Sequence, residues 1–337
     1  MQAAIYAPAG FELTDDERSF FRDAEPAGFI VFKRNCADPE QLLRLTDSLR
    51  ELTGRADLPI LIDQEGGRVA RMKPPEWPAF PAAERFDDLY QAAPSSAMEA
   101  VRANARALAL MLKTVGINVD CIPLLDVRQP GATDIIGDRA LGSNPMQVSA
   151  LGRAVLDGLA SAGTLGVVKH MPGHGRALVD SHKELPIVTA SAEQLETDLE
   201  PFERMAAAPM GMTAHVVYTA WDPDLPASMS PTVIGDIIRG RIGFDGFLMS
   251  DDIGMEALSG DFASRAAGVV AAGNDAALHC SGVMEEMIAV AGAVPAMSSA
   301  GLERLERAMG SINPDVGGPD LTEEIAKRDT LLGVAQV

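Results

Sequence analysis

At 337 residues the chain exceeds one ordinary domain, yet it fits a single α/β barrel, a class that runs to about 250 residues and beyond. Its 47% hydrophobic and 23% charged residues are ordinary globular usage and argue against extensive disorder. With 28 Lys plus Arg against 48 Asp plus Glu, the net charge of −20 would repel a phosphate backbone or an anionic membrane surface, so neither nucleic acid nor a membrane is an expected partner.

The first apolar runs, at 3–7 and 28–32, predict strands, and Asp38 before Pro39 marks a helix start. A third run at 59–62 is followed by the clearest helical pattern, Val101, Ala105, Leu108, Leu112 and Val115, spaced 4, 3, 4, 3 and stopped by Gly116. The fourth run spans 119–127; Asn144-Pro145 opens another helix and the fifth run is 166–168. Ser191 with Gln194 reads as a capping box, and the sixth run is 211–217. Ser230-Pro231 predicts a further helix start, and runs at 247–249 and 276–279 bring the candidate strands to eight. Strands alternating with helices imply a parallel sheet, and eight such units imply closure into an α/β, (β/α)8 TIM-type barrel forming one domain over 1–337. Leu302 to Met309 continues a helical pattern. From about residue 313, Pro314, Gly317, Gly318 and Pro319 predict a loosely packed tail.

Cys36, Cys121 and Cys280 are odd in number and far apart, which indicates neither a disulfide framework nor a thiolate zinc site. The N-terminus has no basic segment before its apolar residues, and no run approaches the ~18 uncharged apolar residues of a membrane helix. The cytoplasm is therefore the expected location. Gly66-Gly67 lacks the G-x-G-x-x-G spacing of a dinucleotide site, and no cofactor is expected.

A parallel barrel carries its active site at the carboxyl ends of the strands, so polar residues directly after an apolar run are the ones to weigh. The third run leads into Asp63-Gln64-Glu65-Gly66-Gly67-Arg68, the fifth into Lys169-His170 and the seventh into Ser250-Asp251-Asp252. The densest polar segment, KHMPGHGRALVDSH at 169–182, holds three of the five histidines. His170 and His174 have the spacing of helical metal ligands, but Pro172, Gly173 and Gly175 argue against a helix across them, and no metal is expected. Asp180 lies close enough to His182 in a loop to accept a ring N–H and fix the tautomer. Asp251, on its own, reads more readily as a cap for a helix over 252–258 than as an anionic nucleophile.

Five motifs taken together, DQEGGRVAR at 63–71, GDRA at 137–140, KHMPGHG at 169–175, DSH at 180–182 and SDDIGM at 250–255, resemble those of the single-domain β-N-acetylhexosaminidases of glycoside hydrolase family 3, in the same order. The resemblance implies a retaining enzyme with Asp251 as nucleophile, His182 as acid/base and Asp180 as its partner. It also implies that Asp63, Arg71, Arg139, Lys169 and His170 bind the sugar, and that the substrate is a small saccharide or muropeptide, N-acetylglucosamine linked to anhydro-N-acetylmuramic acid. A monomer is expected. Met171 stands where the family pattern has phenylalanine, and Ile253-Gly254 where it has Leu-Ser; these departures bear on fine substrate preference. The alternatives are a family 3 β-glucosidase or glycoside phosphorylase, a metal-dependent barrel hydrolase, or a non-catalytic sugar-binding protein.

Overall fold

The computed structural model describes residues 1–132, 134–181, 183–313 and 317–333. The first half runs β1 (Gln2–Tyr6), α1 (Asp15–Ala24), β2 (Pro26–Val31), α2 (Pro39–Thr53), β3 (Ile60–Ile62), α3 (Glu84–Ala92), α4 (Pro94–Thr114), β4 (Val119–Asp120), α5 (Pro145–Ala160) and β5 (Leu165–Met171). Next come β6 (Ile187–Val188), α6 (Ala192–Arg204), β7 (Met210–Thr213), β8 (Val217–Tyr218), β9 (Asp222–Pro226) and a π-helix over Val233–Arg241. The chain then adds β10 (Phe247–Asp252), α7 (Phe262–Ala271), β11 (Ala276–His279), α8 (Met284–Ala293), α9 (Ser299–Gly310) and α10 (Leu321–Gly333). Eight strands, in the order β1-β11-β10-β7-β5-β4-β3-β2, close a parallel barrel, while β6, β8 and β9 form a small separate sheet. The ring is completed by β1 on β11, with Ala4 opposite Ala277 and Tyr6 opposite His279. Because helices cover the outside and side chains fill the inside, β2 and β5 are buried along their whole length. This is the expected (β/α)8 fold.

The helix starts follow their capping chemistry. Asp38 accepts the N–H of Gln41 ahead of Pro39, Asn144 accepts those of Met146 and Gln147 ahead of Pro145, and Ser191 with Gln194 forms a reciprocal capping box. Ser230 does accept the N–H of Val233, at 3.1 Å, but the element it opens is the π-helix. Two expected strands are shorter than their apolar runs. In 119–127 only Val119–Asp120 is strand, because Pro123 has no N–H to offer a ladder; the rest stays beside β5, with Leu125 N–H donated to Lys169 O at 2.7 Å. The run 211–217 divides between β7 and β8. In contrast, β5 and β10 extend past their apolar runs and carry Lys169, His170, Ser250, Asp251 and Asp252 within the strands themselves.

The tail corrects another expectation. Residues 321–333 form α10, which packs on α4: Arg106 pairs with Glu324 at 3.1 Å, and Arg328 donates to Asn104 at 3.2 Å. Glu324 and Arg328 are buried, so this part of the tail is packed rather than loose, its charges matched across the contact. Among the described residues no helix is long and apolar enough to cross a membrane.

Candidate active site

The carboxyl ends of the barrel strands surround a cleft of about 230 Å³ lined by Asp63, Glu65, Arg71, Arg139, Lys169, His170, His174, Ser181, Asp251 and Asp252 among others. Its floor is an ion network. Asp63, directly after β3, receives Arg71 Nη2 at 2.9 Å and Lys169 Nζ at 3.1 Å. Lys169 Nζ also lies 2.7 Å from Glu65 Oε1, and Glu65 takes Arg139 in a two-pronged pair at 2.7 and 2.8 Å. Burial alone would raise both acids. The adjacent cations outweigh it, holding Asp63 far below and Glu65 below the ordinary carboxylate range. Arg71 is further fixed over the Phe32 ring, 5.0 Å from its centroid.

The turn that aims these groups requires its glycines. Gly66 and Gly67 have φ of +100° and +56°, and a Cβ on Gly66 would collide with the carbonyl of Pro81. Glu65 does not stand out in the sequence, although it falls inside the motif at 63–71. It is the residue that binds Lys169 and Arg139 into one unit. Three cations share two carboxylates here, so the network keeps a positive charge while its N–H groups can donate to a ligand's oxygens.

His170 is held from below by Asp126, whose Oδ2 lies 2.8 Å from His170 Nδ1 and whose Oδ1 accepts the backbone N–H of His170 at 3.2 Å and of His174 at 2.6 Å. An ionised carboxylate only accepts, so Nδ1 carries a proton and Nε2 is the ring nitrogen left for a ligand. Asp126 is wholly buried, and burial alone would raise its carboxyl, but His170 and the donated N–H groups bring it down to about 2. The sequence hides it inside the apolar run 119–127; an acid embedded in such a run is itself the signal. Against an unfolded value of 3.8, the lowered carboxyl contributes stability that is complete above about pH 4 and is lost as the pH falls through about 2. Asp126→Asn should therefore lose about 2 kcal/mol at neutral pH and show a shallower acid limb. Thermal unfolding followed from pH 5 to 2 checks this, and parallel slopes for the two proteins would refute it.

Asp251 sits near the end of β10 with its Oδ1 accepting the N–H of Asp252 at 2.8 Å. Burial pushes its carboxyl up, but the neighbouring imidazoles of His170 and His215 and that N–H hold it below its ordinary value, so it is an anion at neutral pH. It caps no helix. Residues 253–258 are turns and α7 begins at Phe262, capped by Asp261, which corrects the reading of Asp251 as a helix cap. Asp252 serves the backbone instead. Its Oδ1 accepts the N–H groups of Gly254 at 3.0 Å and Cys280 at 3.2 Å, tying β10 to the end of β11. Burial raises its carboxyl to about 6. His215, equally inconspicuous in the sequence because it lies in the run 211–217, bridges Ser228 Oγ at 2.6 Å and the Asp252 carbonyl at 3.0 Å, bracing the strand that carries Asp251.

Met171 and Ile253 are wholly buried and, like Gly254, are not among the residues lining the cleft. Asp180 lies half-buried beside Lys183, while Ser181 lines the cleft. His182 lies outside the described residues. Among the described residues no cluster of His, Cys, Asp and Glu could hold a metal ion.

Of the carboxyls lining the cleft, Asp252 alone is raised toward neutral pH, to about 6. Asp63 and Glu65 are locked as anions by cations, and Asp252 is occupied by backbone N–H groups.

The model described as glycosyl hydrolase family 3 N terminal domain matches residues 5–309. A β-hexosaminidase of Chromobacterium violaceum is 38% identical over 307 residues, covering 90% of this chain and 85% of that protein. One from Aromatoleum aromaticum is 37% identical over 278 residues, covering 81% and 77%. The crystal structure of NagZ from Neisseria gonorrhoeae in complex with N-trifluoroacetyl-D-glucosamine superposes with a TM-score of 0.87 at 31% identity, covering 99% of this chain and 98% of that one.

Proposed function

We propose that this chain, which belongs to glycosyl hydrolase family 3 and is a β-N-acetylhexosaminidase, releases terminal β-linked N-acetylglucosamine from small peptidoglycan-derived saccharides, with retention at the anomeric carbon. The observation that carries this reading is Asp251, an anion held at the carboxyl end of a barrel strand and facing the network of Asp63, Glu65, Arg71, Arg139 and Lys169. In this reading Asp63 accepts hydrogen bonds from sugar hydroxyls, while Arg71, Arg139, Lys169 and His170 orient the remaining polar groups. Asp251 attacks the anomeric carbon as His182, in its imidazolium form, protonates the departing oxygen. Neutral His182 then takes a proton from water, which cleaves the glycosyl ester and regenerates the Asp251 carboxylate. Asp180 orients the imidazole and favours its charged form. The disaccharide N-acetylglucosamine–anhydro-N-acetylmuramic acid, met during cell-wall recycling in the cytoplasm by a monomeric enzyme, is the substrate we favour.

The test compares an aryl β-N-acetylglucosaminide with the aryl β-glucoside, with and without phosphate and after exhaustive chelation. Fast turnover of the N-acetyl substrate alone, insensitive to chelation and to phosphate, is the expected result. Equal rates on both sugars would remove the substrate assignment, phosphate dependence would make the enzyme a phosphorylase, and loss on chelation would require a metal.

A further inference from the structure

The D-x-H loop belongs to the connection between β5 and β6, which holds no helix or strand among its described residues. Its part around 178–184 faces solvent: Leu178 is 68% exposed and the Lys183 side chain 79%. Within 178–184 Ser181 is the buried one among the described residues, at 2%. It stands in sequence between Asp180 and His182, and two contacts pin it. Its Oγ lies 3.1 Å from His174 Nε2, and its carbonyl accepts the N–H of Ala257, from the turns after β10, at 3.3 Å.

His174 is itself anchored to the barrel. Its backbone N–H goes to Asp126, its ring meets the His170 ring edge-on at 5.7 Å, and it is 3% exposed. The next residue, Gly175, lies so close to the Val127 carbonyl that a Cβ there would collide with it. A rigid imidazole thus faces the hydroxyl of a loop residue. Both groups are buried, so separating them without water to replace the bond leaves each unsatisfied.

We propose that His174 is a positioning residue that latches the D-x-H loop, through Ser181, onto the end of the cleft that carries Asp251. The proposal rests on reading Asp180 and His182 as the acid/base pair. Burial, followed by the charge of His170, lowers His174 to about 4, so the ring stays neutral at working pH and protonation does not open the contact there.

The experiment compares the parent enzyme with Ser181→Ala, His174→Ala, His174→Gln and His182→Ala. A glutamine places an amide nitrogen near the position of imidazole Nε2 and should restore the bond. On a disaccharide, Ser181→Ala and His174→Ala should lower kcat about three- to ten-fold, the weight of one such hydrogen bond. KM should hold, because the Asp63, Arg71 and Lys169 network is untouched, and His174→Gln should recover most of the loss. Trypsin should cut after Lys183 faster in the two alanine variants than in the parent or His174→Gln, and in Ser181→Ala at unchanged thermal midpoint. Unchanged kcat and unchanged cutting in Ser181→Ala would overturn the latch. So would a fall in thermal midpoint that accounts for faster cutting at every site, since that marks a merely structural contact. If His182→Ala shows no dependence on leaving group, the acid/base reading fails on its own, and cutting at Lys183 still decides the latch: faster in Ser181→Ala upholds it, unchanged removes it.

Discussion

Replacing Asp251 with alanine should lower turnover of an aryl β-N-acetylglucosaminide on the order of 10⁴-fold or more, whereas Asp252→Asn should keep most of the activity with no loss of stability near neutral pH. The two carboxylates are neighbours on one strand and both line the cleft, so proximity does not separate them. Their surroundings do. Asp251 lies in the combined field of His170, His215 and a donated N–H, which keeps its charge available for attack. Asp252 spends its Oδ1 on the N–H groups of Gly254 and Cys280, and its raised carboxyl reflects burial. An amide oxygen in its place still accepts those N–H groups, and because burial disfavours the carboxylate's charge, removing that charge adds no cost near neutral pH. Trapping with a fluorosugar followed by peptide mapping tests the assignment directly. Label on Asp252 would reverse the two roles, and absence of label would shift the nucleophile to the substrate's own acetamido group.

The contrast between these neighbours shows what a linear reading can reach. The barrel is legible because parallel strands buried on both faces are continuous apolar runs, and because caps such as Asp38-Pro39 and Ser191 with Gln194 act within a few residues of the chain. Asp63, Lys169 and Asp251 are legible for a related reason: each follows an apolar run closely, where a barrel puts its chemistry. The supporting groups are hidden because their work is done across the barrel. Glu65 acquires its meaning only when β5 and the loop before α5 bring Lys169 and Arg139 to it, and Asp126 only when His170 lands above it. Both Asp126 and His215 are concealed inside runs whose apolar neighbours mark them as strand. Asp251 misleads on local grounds alone, since a carboxylate ahead of a short polar stretch looks like a cap until Gly254 and the turns after it rule out the helix.

In the His182→Ala variant, aryl and disaccharide substrates should fail in different ways, because the two roles proposed for His182 depend differently on the leaving group. A nitrophenolate departs without protonation, so Asp251 can still attack the aryl substrate and form the glycosyl ester. Hydrolysis of that ester needs a base to activate water, and loss of a positioned base costs about 10²- to 10⁴-fold. The variant should therefore release a rapid burst of nitrophenol close to one equivalent per enzyme, then turn over slowly while a covalent adduct accumulates that mass spectrometry detects. On a disaccharide, whose leaving oxygen must be protonated, the first step itself stalls and no burst or adduct should form. Asp180→Ala should show a milder version of both defects, since the imidazole remains but is less well oriented and less readily protonated. The structure sharpens the expectation by narrowing the substitutes. Asp63 and Glu65 are fixed as anions and His174 is lowered to about 4, so none of the three is poised to donate a proton near neutral pH when the imidazole is gone. Equal slowing of aryl and disaccharide cleavage, with neither burst nor adduct, would mean that another group supplies the proton, and Asp252, raised to about 6 at the edge of the same cleft, would be the first to examine.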